Sequence, residues 1–427
     1  MRLEDIYQLY KAHPVVTTDT RNCPEGSMFF ALKGERFNGN EFAAQALEAG
    51  CAYAVIDEPV YNLGDRYILV DDVLKTLQDL AHHHRMQLRI PVVGITGTNG
   101  KTTTKELVSA VLSAKYNTLY TLGNFNNHIG VPLTLLRLTS EHEMAVIEMG
   151  ANHPGEIDAL VHIVAPDYGL ITNVGSAHLE GFGSFEGVVK TKTELYRYLG
   201  KHNGTVFISS EDALLQSHAT ELKKILYGVS ETANYRGVLD DKSLFVSFSF
   251  MIDGNSYPVD TQLIGGYNFY NLMAAVAIGS TLGVAPHQIV SALEAYTPTN
   301  NRSQFQDTGK NKLIIDAYNA NPSSMKVAIE NLKQIDAPRK AVILGDMREL
   351  GQASADEHRK VVELLNAAEF DKVLLCGSEF TNINSRFMCY PTIDLLKAAL
   401  ADNPISGYTI LIKGSRGMKL EQVLEIL

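Results

Sequence analysis

The run Gly97-Thr98-Asn99-Gly100-Lys101-Thr102-Thr103 combines two glycines, a lysine and several hydroxyls in seven residues. An apolar segment, Val92-Val93-Gly94-Ile95, comes just before it, and a helical pattern reaching Ala114 follows. Strand, glycine-rich turn and helix start make an anion site, because backbone N–H groups and the positive end of the helix dipole converge there. In that setting Lys101 can reach the β- and γ-phosphates of a nucleotide, and the Thr102 hydroxyl can bind Mg²⁺. The spacing G-x-x-x-x-G-K-[ST] is not fully met, since Ile95 stands at its first glycine. An ordinary glycine-rich turn is the alternative, and the flanking strand and helix argue against it.

Two further stations could do chemistry with that phosphate site. Glu148 closes the apolar run at residues 144–147. A carboxylate at the C-terminal end of a parallel strand faces the ligand crevice, where it can hold a metal or orient an attacking group. A solvated strand-end glutamate fits the sequence equally well. His178 follows the run Gly169-Leu170-Ile171 and so occupies the same kind of station. The segment Lys190-Thr191-Lys192-Thr193-Glu194 lies close behind it.

These residues need a scaffold, and the chain supplies three textures. Residues 1–86 mix short strand-like runs with a helical pattern near residues 42–49 and end on His82-His83-His84, expected to face solvent rather than bind metal. Residues 87–297 alternate strand and helix as a doubly wound, mostly parallel sheet does. Its strands read as continuous apolar runs, which suits burial on both faces. Alternation at residues 244–252, followed by Asp253-Gly254, predicts an antiparallel hairpin appended to that sheet. Pro298 marks a hinge, and residues 298–427 form a second, smaller open α/β unit.

A chain of 427 residues has room for about three domains. Its 37 Lys and Arg against 48 Asp and Glu leave a formal charge of −11, which disfavours bulk nucleic-acid binding. The four cysteines, Cys23, Cys51, Cys376 and Cys389, are scattered without a C-x-x-C pair, which fits a reducing compartment and excludes a disulfide framework. Acidic residues at the start, Glu4 and Asp5, stand where a signal peptide needs an apolar core. Residues 261–293 carry no Asp, Glu, Lys or Arg, yet Asn268, Asn271 and Pro286 make a buried helix the better expectation than a membrane span. A cytoplasmic chain without membrane insertion is expected.

Taken together, the three clusters resemble the Mur ligase family, the ATP-dependent amino-acid and peptide ligases of bacterial cell-wall synthesis. Further segments resemble the branch that adds D-alanyl-D-alanine. They are Asp316-Ala317-Tyr318-Asn319-Ala320-Asn321-Pro322, Leu344-Gly345-Asp346-Met347-Arg348-Glu349-Leu350-Gly351, and Gly123-Asn124-Phe125-Asn126-Asn127 with Gly130-Val131-Pro132. Thr18-Asp19-Thr20-Arg21 and residues 26–34 look like the family's uridine-nucleotide-binding N-terminal domain.

The resemblance implies a three-domain α/β fold with a central P-loop domain and a Rossmann-like C-terminal domain. It implies ATP and two Mg²⁺ ions, with Lys101, Glu148, His178 and Lys192 catalytic and Thr102, Glu148, His178 and a carbamylated Lys192 around the metals. Asn268 and Asn271 would hold adenine, Asp316 the ribose, and Arg302 the γ-phosphate. Thr20, Arg21, Ser27, Asn126 and Asn127 would bind the UDP-N-acetylmuramoyl-tripeptide, and residues 413–416 would lie near the incoming D-alanyl-D-alanine amine. Tyr267 stands where the family often has His, and His128 where the branch commonly has Glu. A monomer is expected, and the third residue of the tripeptide, diaminopimelate or lysine, is left open. Another Mur-type or folylpolyglutamate-type ligase and a non-catalytic muropeptide sensor are the rival readings.

Overall fold

The computed structural model describes residues 1–175, 179–240, 244–299 and 301–427. Three main sheets follow one another along the chain. A parallel four-stranded sheet takes Val16–Thr17, Met28–Phe30, Tyr53–Ile56 and Tyr67–Leu69 in spatial order. The central sheet has nine strands among the described residues. Seven are parallel, and the expected hairpin, Phe245–Ile252 with Asn255–Ile264, extends one edge antiparallel. Asp253 and Gly254 turn that hairpin with φ of 50° and 78°, the left-handed pair that matches strand twist.

The phosphate-loop strand Val92–Thr96 lies between Met144–Glu148 and Tyr168–Ile171. Every residue of Val92–Thr96 and of Met144–Glu148 is buried, as the unbroken apolar runs require. The chain winds to one side of this strand and then to the other, so a crevice opens beyond the strand C-termini, where α/β sheets bind ligands.

The uncharged stretch at residues 261–293 is not one helix. It holds the end of Asn255–Ile264, the helix Phe269–Thr281 and most of the helix Pro286–Ala295. Gly265 at φ 95° and Gly283 at φ 80° divide these elements. Phe269–Thr281 is apolar almost all round because it is enclosed. A Cβ at its Gly279 would come 2.4 Å from Val111 of the phosphate-loop helix. Among the described residues no helix is long and apolar enough to cross a membrane.

The C-terminal sheet has six strands among the described residues, with Lys312–Asp316, Thr409–Lys413 and Lys340–Gly345 adjacent and parallel. That register sets Asp316 beside Lys413 at the strand ends. Apolar contacts join this domain to the central hairpin: Phe245 meets Phe305 edge to face at 5.4 Å, and Ile264 is buried in the C-terminal core.

The helix Val73–Leu88 seats the N-terminal domain, running two residues past the boundary expected at residue 86 and ending at Arg89 with φ 45°. Asp72 caps it by accepting the Lys75 N–H at 2.8 Å. Its buried Leu77, Leu80 and Ala81 share one core with the central domain. The histidines depart from the solvent-facing expectation. His84 is buried and bonds to the Leu138 carbonyl at 2.9 Å, while His82 Nδ1 lies 3.2 Å from the Ile163 carbonyl.

Arg85 is the polar tie at this interface. Its guanidinium donates to the carbonyls of Val164 and Ala165 and to Asp167 Oδ2 at 3.0–3.2 Å. The same Asp167 oxygen accepts the N–H of Val92, the first residue of the phosphate-loop strand, at 2.9 Å. Arg85→Ala is expected to cost about 2–4 kcal/mol in urea unfolding, since it leaves three acceptors without their charged donor. Arg85→Lys should recover only part of this, because an ammonium cannot fork. A loss below about 0.5 kcal/mol for Arg85→Ala would show that the tie carries no stability.

Candidate functional site

A cavity of about 880 Å³ opens between the central and C-terminal domains. The phosphate loop forms its floor. Gly97 has φ 143°, and a Cβ there would sit 2.0 Å from Thr172 Oγ1. Gly100 has φ 79°, and its Cβ would sit 2.8 Å from Asn271 Oδ1. Both positions therefore demand glycine. The helix Lys101–Ser113 starts at the loop and aims its free N–H groups into the cavity. Lys101 curls back over the loop, its Nζ donating to the carbonyls of Gly97 and Thr98 at 2.9 Å each. Burial lowers the Lys101 pKa; Glu148 opposes that shift and Arg302 adds to it.

Glu148 ends its strand 1% exposed. Its Oε1 accepts from Asn126 Nδ2 at 2.7 Å and from Thr102 Oγ1 at 3.2 Å, whereas its buried Oε2 has no partner among the described residues. An orphaned carboxylate oxygen beside a hydroxyl is a donor set that suits a hard cation. No group of three His, Cys, Asp or Glu side chains is gathered for a metal among the described residues. Mg²⁺ does not need one, since it keeps waters and takes phosphate oxygens with one or two carboxylates. His178, expected near a metal, lies outside the described residues.

Of the neighbouring lysines, Lys190 is exposed and Lys192 is 2% exposed. Lys192 Nζ lies 3.4 Å from the carbonyl of Ala151, a residue of the cavity wall, and 5.5 Å from the Phe182 ring centre. Burial, followed by the nearby Lys101 charge, lowers its pKa to about 7. Glu156 and Glu194 pull the other way. Their carboxylates are already engaged by backbone N–H groups, Glu156 with Asn152 and His153 and Glu194 with Gly155 and Asp158.

The remaining wall joins two domains. Asn271 Nδ2 donates to Asn268 Oδ1 at 2.8 Å and its Oδ1 accepts from Thr104, so the two asparagines form a fixed amide pair. Tyr267 shares a hydrogen bond with Ser303 at 2.9 Å. Arg302 Cζ lies 3.8 Å from the Tyr318 ring centre, and its buried Nε has no partner among the described residues. Lys413 Nζ binds Asp316 Oδ2 at 2.6 Å.

Several expected contacts are arranged differently. Asn99 turns its side chain to Asn321 and Ser323 of the C-terminal domain, and its N–H is taken by Asn173 Oδ1, so it does not present donors to phosphate. Asn127 lies on the cavity wall, but its Oδ1 accepts the N–H groups of Ile129 and Gly130. Thr20, Arg21 and Ser27 belong to the N-terminal domain and do not line this cavity. Arg21 is exposed and paired with Asp19 at 2.7 Å, which holds the Asp19 carboxyl down at about 2. Ser27 is fully buried with its Oγ 3.2 Å from Cys51 Sγ, its N–H donating to the Pro24 carbonyl and its own carbonyl accepting from Ala52 N–H. Tyr318, Asn321, Ser323 and Glu156 were missed as site residues. The Asn-Pro-Ser start of a helix was a visible capping signal, whereas Glu156 carried none.

Comparison with known proteins covers nearly the whole chain. The Mur ligase family catalytic domain matches residues 14–85, the Mur ligase middle domain 95–279, and the Mur ligase glutamate ligase domain 301–416. The chain is similar to the UDP-N-acetylmuramoyl-tripeptide–D-alanyl-D-alanine ligase of Bacillus subtilis, 37% identical over 423 residues, covering 96% of this chain and 92% of that protein. Among solved structures it is similar to MurF from Acinetobacter baumannii, with a TM-score of 0.87 and 31% identity over 98% of this chain and 97% of that one. It also matches the MurF ligase from Thermotoga maritima in complex with ADP, with a TM-score of 0.86 and 30% identity over 96% of each chain.

The geometry of the loop makes one substitution diagnostic. Gly100→Ala combines a left-handed backbone with a collision against Asn271, and should lower stability by about 1–3 kcal/mol in chemical denaturation. It should also weaken a fluorescent ATP analogue about tenfold or more, the worth of one charge-assisted hydrogen bond. Unchanged affinity in the folded variant would mean that the loop does not hold phosphate.

Proposed function

The chain belongs to the Mur ligase family, and we propose that it joins D-alanyl-D-alanine to UDP-N-acetylmuramoyl-tripeptide, turning ATP into ADP and phosphate. The product is the pentapeptide precursor of peptidoglycan. The observation that carries this reading is a single cavity with a phosphate loop on one side and Arg302, Asp316, Lys413 and Arg416 on the other.

The chemistry follows from charge. A carboxylate is a poor acylating agent at neutral pH, so it must first take the γ-phosphoryl group of ATP. The resulting acyl phosphate has a good leaving group, and the dipeptide amine displaces phosphate through a tetrahedral intermediate. Carboxylate and triphosphate are both anions, and bringing them together needs positive charge fixed in advance. Lys101 would serve the β- and γ-phosphates from the loop, and Arg302 would face the γ-phosphate from the domain junction. The amide pair Asn268–Asn271 would meet adenine, and Asp316 would accept a ribose hydroxyl. Asn126 holds Glu148 in place. Mg²⁺ bound by Glu148, Thr102, His178 and a carbamylated Lys192 would supply Lewis-acid neutralisation of the phosphates.

Lys192 is suited to carbamylation. A cationic ammonium has no lone pair, whereas a neutral amine can form an N–C bond to CO₂ and release a proton, leaving an anionic oxygen ligand. A pKa near 7 makes the neutral amine abundant at physiological pH. The N-terminal domain would bind the uridine-diphosphate end through Thr20, Arg21 and backbone near Ser27. The reaction would run in the cytoplasm on a monomer, since one chain supplies every wall of the cavity.

Phosphate release should require ATP, D-alanyl-D-alanine and a UDP-N-acetylmuramoyl-tripeptide together, and assays with the diaminopimelate and lysine tripeptides identify the third residue. Lys101→Ala should keep its fold and lose about 10²–10³-fold in turnover, the scale for one transition-state charge stabiliser. Wild-type turnover in that variant would sink the phosphate-loop assignment.

For Lys192, ¹³C-labelled CO₂ should give a carbamate NMR signal that Lys192→Ala abolishes and Lys190→Ala retains. Because the pKa is depressed, at fixed dissolved CO₂ the signal should rise through about pH 7 rather than near the ordinary lysine value. A signal lost in Lys190→Ala instead would refute the assignment.

A further inference from the structure

Asn99 stands inside the phosphate loop, two residues before Lys101, yet its side chain reaches the other domain. Its Oδ1 accepts from Asn321 Nδ2 at 2.7 Å, and its Nδ2 donates to Ser323 Oγ at 3.0 Å. Ser323 Oγ donates in turn to Asn321 Oδ1 at 2.9 Å, so the three side chains close a ring. Each end of this ring is anchored. Asn321 Oδ1 caps the helix Pro322–Gln334 through the Ser324 N–H at 2.9 Å. On the loop side, the Asn99 carbonyl accepts from Thr172 Oγ1 at 2.6 Å and from Asn173 Nδ2 at 2.9 Å. Gly175 leaves the necessary room, since a Cβ there would lie 3.1 Å from Ser323 Oγ.

An amide is the side chain this position needs, because it must donate and accept at once. The ring exists only while the C-terminal domain is docked, and it acts on the loop that carries Lys101. We propose that Asn99 is a positioning residue that makes the working geometry of the phosphate loop conditional on docking of the C-terminal domain. The proposal rests on the ligase reading above, and it gives that reaction a physical order. Phosphoryl transfer before docking would expose an acyl phosphate to water. A loop completed by the second domain ties transfer to the closed cavity, where the amine can be held.

The alternative is a packing contact that stabilises the fold and leaves the loop alone. The test uses Asn99→Ala, Ser323→Ala and the double variant in the full chain. Asn99→Ala should lower kcat about ten- to a hundredfold, the cost of a small misplacement of reacting groups. ADP affinity by equilibrium titration should stay within about threefold of wild type, since Asn99 presents no donor to phosphate. The double variant should be no worse than Asn99→Ala, because both remove the same ring. Hydrogen exchange in the peptide 319–326, measured with a non-hydrolysable ATP analogue and Mg²⁺, should be faster in Asn99→Ala than in wild type. A kcat within twofold of wild type, ADP affinity falling in step with kcat, or effects that multiply would each overturn the proposal. If wild type shows no ligase turnover, the ligase reading fails, and exchange alone then decides: faster exchange supports the docking role and unchanged exchange refutes it.

Discussion

Lys101 and Lys192 both sit where water is largely excluded, close enough for Lys101 to lower the pKa of Lys192, and Arg302 lowers that of Lys101 in turn. Concentrating cations in this way is unfavourable, and the carboxylates of Glu148, Glu156 and Glu194 offset it only in part, since both lysine pKa values stay lowered. Glu156 and Glu194 also accept from backbone N–H groups, and one Glu148 oxygen has no partner among the described residues. The cavity wall sets Lys101, Arg302, Lys413 and Arg416 against Glu148, Glu156, Asp316 and Glu349, a balance that the chain as a whole, at −11, does not share. Cations held beside the phosphate loop, in a chain of net negative charge, favour small anions there over the rest of the surface.

That constraint explains why the surrounding scaffold is so rigid. Preorganised charge acts only if it does not relax when a ligand arrives. The loop lies between two fully buried strands, and its helix is locked against the enclosed Phe269–Thr281 helix. Asn126 and Thr102 fix one oxygen of Glu148 and so aim the other.

Much of this was legible in the residue order. The phosphate loop, the buried parallel strands and the Asp-Gly hairpin all rest on local patterns, in which the neighbours that decide the conformation are also neighbours in the chain. What stayed hidden depends on distant partners. The ring of Asn99, Asn321 and Ser323 joins segments more than two hundred residues apart. The burial of His84 and the inward turn of Ser27 are set by the domain each packs against, and neither has a periodic signal. The uncharged stretch at residues 261–293 misled because composition reports burial and not continuity, while its glycines marked the breaks.

The contact between the central and C-terminal domains has two unlike ends. At one, Phe245, Phe305 and Ile264 meet as apolar surface; at the other, Asn99 meets Asn321 and Ser323 through directed hydrogen bonds. Apolar contact is non-directional and tolerates rotation, so that end can serve as a pivot, while the amide end holds at one angle and acts as a catch. Their thermodynamics differ as well. Cooling weakens the association of apolar surfaces but not enthalpic hydrogen bonds. Temperature therefore shifts the balance between pivot and catch, and the time the two domains spend engaged becomes a property of the thermal environment as well as of the ligands.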